Sequence, residues 1–379
     1  MSEIYLDNSA TTVVCREAAE KVMEIMTQKY GNPSSLHSKG TEAYRELEHA
    51  REIIAQSLGA TPQEIYFTSG GTEGNNLAVF GTAYARRKRG NRIVTTAIEH
   101  SSVIESVRRL ENEGFEVICL EPDSNGVVPL SSFKAAINNK TVLVSVMAVN
   151  NEIGSIQPFE KIRKLIDDAK APALYHIDAV QAYGKIPVKA KKTGADMITV
   201  SSHKIHGPKG VGAFYLKKGV HIQSLHCGGE QEHKVRPGTE ALPLICGFAE
   251  AVRCLPDMNE EYHYMQTLNQ YARQCLSALP EITINSAESC LPYILNISTG
   301  CIKSETMLHF LEQNQIYVSS GSACAKGKKS HVLTALHLDQ AQADSALRIS
   351  FSRYNKKEDI EHLTAVLKQG LERLVRFSK

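Results

Sequence analysis

No run of like charge in this chain is long enough to follow a nucleic-acid backbone or a lipid headgroup surface. Lys and Arg number 43 against 41 Asp and Glu, a formal net charge of +2, so bulk electrostatics names no partner. A stretch of about 18 or more uninterrupted apolar residues is also missing, and with it the sequence pattern of a membrane-spanning helix. The opening MSEIYLDNSATT lacks a basic region followed by an apolar one, so a cytoplasmic location is expected. Internal repeats, low-complexity tracts and Gly/Ser linkers are absent. So is any CxxC pair. The nine cysteines (Cys15, Cys119, Cys227, Cys246, Cys254, Cys275, Cys290, Cys301 and Cys324) are odd in number and scattered. They read as reduced thiols in a reducing compartment, most of them serving as small buried hydrophobes.

What is present is a 379-residue chain with 42% hydrophobic content, enough for one large domain and a smaller one. The early and middle parts alternate helical periodicity with short β-branched runs: EIYFTSGG, NRIVTTAIEH, TVLVSVMAVNNE, ALYHIDAVQ and DMITVSSHK. Each run has the near-continuous apolar character of a strand covered on both faces, which predicts an α/β domain with a mostly parallel sheet over residues 15–255. Ligand sites are then expected beyond the strand ends, where the polar clusters sit. After residue 255 a long helical stretch, short strands and a closing helix predict a smaller α+β domain, made of residues 1–14 and 256–379.

Four clusters carry candidate chemistry. FTSGGTEGNNLAV runs from a strand through Gly70, Gly71 and Thr72 into a helix, where free N–H groups and the macrodipole favour a phosphate. A plain strand-to-helix turn explains it equally well. No Gly-Lys-Ser/Thr follows, so it is not a P-loop. AIEHSSV puts His100 at a sheet edge, placed to stack on a planar ring or move a proton; a structural histidine is the alternative. HIDAVQAYG supplies Asp178 and Gln181, and SSHKIHGPKG supplies Ser201, His203 and Lys204. An acid and a lysine past adjacent strand ends suit a pyridoxal ring, the acid pairing with the ring nitrogen and the lysine with the aldehyde. A capping aspartate and an exposed lysine are the alternatives. Arg348 and Arg353, in RISFSRYN, offer a fork for an amino-acid carboxylate, or surface solvation for one of the two. No ligand cluster at metal-site spacing joins the HKIH pair, so no metal is expected.

Taken with YLDNSATT, NPSSLH, NNEIGSIQP, RPGTEALP and SSGSACAKGKKSH, these segments run in order along nearly the whole chain. The chain resembles the cysteine desulfurases of the NifS/IscS type, class-V members of the fold-type-I pyridoxal-phosphate enzymes. The resemblance implies a large domain with a seven-stranded, mostly parallel sheet, and a small α+β domain carrying a catalytic-cysteine loop. It implies pyridoxal 5'-phosphate as cofactor, with Lys204 as its Schiff-base lysine, Asp178 at the ring nitrogen, Gln181 at the phenolic oxygen and His100 stacked on the ring. Gly71, Thr72, Ser201 and His203 match the phosphate cup. Thr239 matches a phosphate contact made from the other subunit, so a homodimer is expected. Asn151 and Arg348 match positions that hold the substrate carboxylate. Cys324 matches the thiol that takes sulfur from L-cysteine, leaving alanine and a persulfide for delivery to a sulfur-acceptor protein, either an iron–sulfur scaffold or a sulfurtransferase. Lys326, Lys328 and Lys329 beside it would help lower its pKa, and His100 matches the acid/base. Two departures stand out: Cys227 replaces a more usual glycine in a stretch one residue longer, and the loop after Cys324 is about two residues shorter. Selenocysteine lyase or another class-V aminotransferase is the second enzymatic reading. A catalytically silent sulfur-transfer partner is the third.

Overall fold

The computed structural model describes residues 3–320 and 330–376. A seven-stranded sheet lies at its centre, with strands in the spatial order Ile65–Thr68, Gly212–Leu216, Met197–Ser201, Leu174–Asp178, Thr141–Met147, Arg92–Thr96 and Glu116–Leu120. All are parallel except Gly212–Leu216, which is antiparallel to both neighbours. The expected α/β architecture is therefore present.

The near-continuous apolar runs have a simple cause. Successive side chains of a strand point to opposite faces, and here both faces are covered. Ile93, Leu143, Met197 and Phe214 enter one core cluster, with Leu77, Val103 and Val107 from the helices Gly71–Arg86 and Ser101–Asn112. Val94, Val144, Ile198 and Ala213, their immediate chain neighbours, enter the other. Thr141–Met147 is buried along its whole length.

The C-terminal part forms a four-stranded antiparallel sheet, Ser319–Ser320, Ala346–Ser350, Ile294–Ser298 and Thr283–Ile284 in spatial order. The chain start returns to this region: Ile4–Tyr5 pairs in parallel with Ile316–Tyr317, and Asp7 bridges to Ser350. The larger core cluster extends from Ile4 to Leu371 through both regions. No helix among the described residues is long and apolar enough to cross a membrane.

Parallel strands end on one edge, so Thr68, Thr96, Met147, Asp178 and Ser201 share the carboxyl edge of the sheet. Polar groups collect there. Gly71, at the start of its helix, is required for close approach: a Cβ at that position would lie 2.7 Å from Val180 Cγ2, in the turn that follows Asp178.

Candidate active site

Asp178 is 4% exposed, at the last position of its strand. Its Oδ2 accepts from Asn75 Nδ2 at 2.7 Å, and its Oδ1 accepts from Val180 N at 3.0 Å. The second hydrogen of Asn75 Nδ2 reaches Ser102 Oγ at 2.9 Å. Ser102 in turn faces His100: its hydroxyl lies 2.8 Å from Nδ1, and its backbone N–H donates to the same nitrogen at 3.2 Å. With Nδ1 accepting both, the neutral ring carries its proton on Nε2. Burial holds the His100 pKa below its usual range; Asp178 opposes this, while Lys204 and His331 reinforce it. A connected line therefore runs from the Asp178 carboxyl to the His100 imidazole.

Lys204 closes a short 3₁₀ turn after the strand Met197–Ser201. Its Nζ donates to the carbonyls of Ser9 and Ala10. Gln181 Nε2 also donates to Ser9 O, at 2.9 Å, so the N-terminal segment forms one wall. Behind Gln181 lies Lys185, whose Nζ is 3.4 Å from Gln181 Oε1 and whose pKa burial pushes down to about 8. His203 Nδ1 meets Thr11 Oγ1 at 3.2 Å; burial, helped by Lys204, Lys209 and Lys185, pushes that imidazole down to about 4.

A cavity of about 330 Å³ opens between Ala10, Thr11, Gly70, Gly71, Thr72, Ser201 and His203. It has the chemistry of a phosphate site. The helix Gly71–Arg86 starts at it, with N–H groups that have no intrahelical partner. Ser201 Oγ, on a residue 1% exposed, has no hydrogen-bond partner among the described residues. Leaving a buried hydroxyl unmatched costs about 1–3 kcal/mol, and a phosphate oxygen would match it. The residues at this edge therefore fit pyridoxal phosphate: an anion cradle at one end, a lysine and an acid at the other, and an imidazole alongside.

Arg348 is 4% exposed on the strand Ala346–Ser350. Nη2 pairs with Asp7 Oδ1 at 2.8 Å and Nη1 donates to Asn151 O at 3.0 Å, while Nε has no partner among the described residues. Arg353 does not join it. It lies past the strand end, donates to the carbonyl of Cys254 and sits 5.4 Å from the Tyr354 ring centroid. Thr239 is exposed on the loop before the helix Leu242–Arg253, outside the cavity lining, and Cys227 is exposed on the same loop. Cys324 and its three lysines lie outside the described residues. The residue closing that segment, Ser330, donates to Glu152 Oε2 at 2.6 Å, and His331 Nε2 donates to Glu99 O at 2.8 Å.

Asn75 and Ser102 were not singled out from the sequence, although a signal existed: Asn75 stands four residues after Gly71, on the same face of one helix. Glu73, Arg236 and Glu152 carried no such signal. Glu73 accepts from Ser69 N at the cradle and from Arg236 of the Thr239 loop.

The pattern of the class-V aminotransferases matches residues 4–363. A protein of Dictyoglomus turgidum named cysteine desulfurase IscS is 39% identical over 98% of this chain and 95% of its own length. A solved NifS-like protein is 38% identical with a TM-score of 0.93, covering 98% of this chain and 100% of the other. The chain belongs to the class-V aminotransferases. Within that family it is a pyridoxal-phosphate enzyme of the cysteine desulfurase type. Another solved structure, described as SspA in complex with cysteine, is 32% identical with a TM-score of 0.81, covering 94% of this chain and all of that one.

Proposed function

We propose that this class-V enzyme desulfurates L-cysteine to L-alanine, with Cys324 receiving the sulfur as a persulfide. The observation that carries the proposal is the shared sheet edge at which Lys204, Asp178 and His100 converge beside the Gly71–Ser201 anion cradle. Pyridoxal phosphate, when bound, supplies an electron sink for charge developing at the substrate Cα.

This chain's own residues do the rest. Gly71, Thr72, Ser201 and His203 would hold the phosphate. Asp178, fixed by Asn75 and Val180, would hold a proton on the ring nitrogen. Gln181 would hold the phenolic oxygen. Lys204 would anchor the cofactor and move the Cα proton. Arg348, whose Nε has no partner among the described residues, takes the substrate carboxylate beside Asn151. His100 holds or releases the proton on Nε2 for the sulfur leaving the substrate. The Cys324 thiolate attacks the substrate sulfur: an S–S bond forms, the C–S bond breaks, and the departing pair leaves with the three-carbon fragment that becomes alanine. The persulfide then passes to an acceptor protein, an iron–sulfur scaffold or a sulfurtransferase. A second copy of the chain would bring its Thr239 to the phosphate.

Reduction of the holoenzyme with borohydride followed by peptide mapping tests the arrangement. A pyridoxyl group on Lys204, together with loss of the visible absorption band in Lys204→Ala, is the expected result. Label on another lysine, or an unchanged band in the variant, overturns it.

A further inference from the structure

Sequence spacing finds only ligands that are close along the chain. Folding brings together another set, where the residue before the helix Arg16–Thr27 meets the end of the helix Leu242–Arg253. There the Sγ atoms of Cys15 and Cys254 and a carboxylate oxygen of Glu17 all lie within 4.8 Å of one another. Cys254 Sγ is also 4.0 Å from Glu250 Oε1. Cys15 is 4% exposed, Cys254 is half-buried and Glu17 is open to solvent.

Burial, then Cys15, Glu17 and Glu250, push the Cys254 thiol up, to about 11. Two nearby cations are engaged elsewhere: Arg16 with Glu20, and Arg353 through Nη1 with the Cys254 carbonyl and not its thiol. Four donors that are acidic or become anionic on losing a proton thus share one place.

We propose that Cys15, Cys254 and Glu17, with Glu250 within reach as a fourth donor, form a binding site for one thiophilic divalent cation, zinc by its donor set. Tetrahedral zinc holds sulfur at about 2.3 Å and carboxylate oxygen at about 2.0–2.2 Å, which places the donors roughly 3.5–3.8 Å apart. The present spread therefore needs only small side-chain rotations. Glu17 is exposed and Glu250 half-buried, each on its helix, and both cysteines are at helix ends. Mixed thiolate and carboxylate donors suit zinc better than cuprous ion. Binding replaces the two thiol protons, which leave to solvent, with two S–Zn bonds and no redox change. The N-terminal end of Arg16–Thr27 favours the anionic product.

The site is distinct from the cofactor edge but tied to it. Cys15 N donates to His206 O, and Thr12 donates to His203 O from both its backbone and its hydroxyl. Cross-linking Cys15 to Cys254 would hold the same segment that presents Ser9 O and Ala10 O to Lys204 Nζ.

The test uses the reduced holoenzyme and zinc ion. One equivalent of zinc is added, thiols are alkylated with iodoacetamide, and labelling is mapped by peptide mass. The expected result is loss of labelling at Cys254, together with whatever labelling Cys15 shows, while the exposed Cys119 and Cys227 label as before. Cobaltous ion should give a thiolate charge-transfer band that disappears in Cys254→Ser and in Cys15→Ser. Glu17→Gln should weaken zinc binding by about tenfold or more. Protection of other thiols only, unchanged labelling of Cys254, or equal zinc affinity in the Cys15→Ser/Cys254→Ser double variant overturns the proposal. None of these readouts depends on desulfurase activity.

Discussion

Asn75 donates to the Asp178 carboxyl at 2.7 Å while its other hydrogen engages Ser102. One side chain thus orients both Asp178, the acid proposed to pair with the ring nitrogen, and, through Ser102, the His100 imidazole. Asn75→Ala leaves Asp178 Oδ2 without that donor. Losing a hydrogen bond to a buried carboxyl costs about 1–3 kcal/mol, roughly 5–150-fold in binding. Pyridoxal-phosphate affinity of the variant, measured by titrating the apoenzyme, should fall within that range. Wild-type affinity would contradict the orienting role.

Ser102 also sets a pH dependence. Its hydroxyl and N–H both stabilise the neutral His100 ring, whose pKa is already below the usual value. Ser102→Ala removes one of these donors, so the imidazole becomes more basic. The acid limb of kcat/KM should move to higher pH in the variant. An unmoved limb would show that the hydroxyl does not act on His100.

Glu99 lies fully buried beside His100 and is pushed up to about 8 by burial. Thr96 and Met147 N both donate to Oε1, while Oε2 has no partner among the described residues. The folded protein therefore holds the Glu99 proton more tightly than the unfolded chain, and stability is lost as pH rises from the ordinary carboxyl range through about 8. Glu99→Gln mimics the protonated form. Its Tm should match wild type at pH 5 and exceed it at pH 9; equal values at pH 9 would contradict a buried proton.

Arg51 and Glu232 form a buried bidentate pair at 2.9 and 2.7 Å, and Phe67 N donates to the same carboxylate. The pair holds a segment in which Glu232, His233 and Lys234 all have positive φ, ahead of Thr239 on the same loop. Arg51→Met strands the carboxylate and should cost about 3–5 kcal/mol in urea unfolding. Adding Glu232→Met should recover part of that loss. Strictly additive losses would mean the two charges do not act as a pair.

Much of the sheet edge was legible in the sequence because its chemistry follows local rules. Asp178 and Ser201 end apolar runs, Gly71 and Thr72 open a helix after a strand, and Lys204 follows within one turn. Those rules locate a residue on an edge but do not say what it touches. The Asn75–Asp178 bond, the Arg348–Asp7 pair and the Cys15–Cys254 junction join positions far apart in the chain, and only packing brings them together. Arg353 shows the reverse failure: it shares a motif with Arg348, but the strand ends at Ser350 and the chain turns its side chain toward Cys254. Glu99 neighbours His100 in the chain, yet its side chain is fully buried and accepts from Thr96 and Met147 N, because a strand end does not fix which neighbour faces the pocket.

The most direct measurement of the central claim is single-turnover reaction of the holoenzyme with L-cysteine, with alanine quantified and the Cys324 peptide weighed. The wild type should form alanine and gain one sulfur on that peptide, while Cys324→Ala should retain the visible band and form no alanine by this route. Alanine and sulfide released by Cys324→Ala at the wild-type rate would contradict the account.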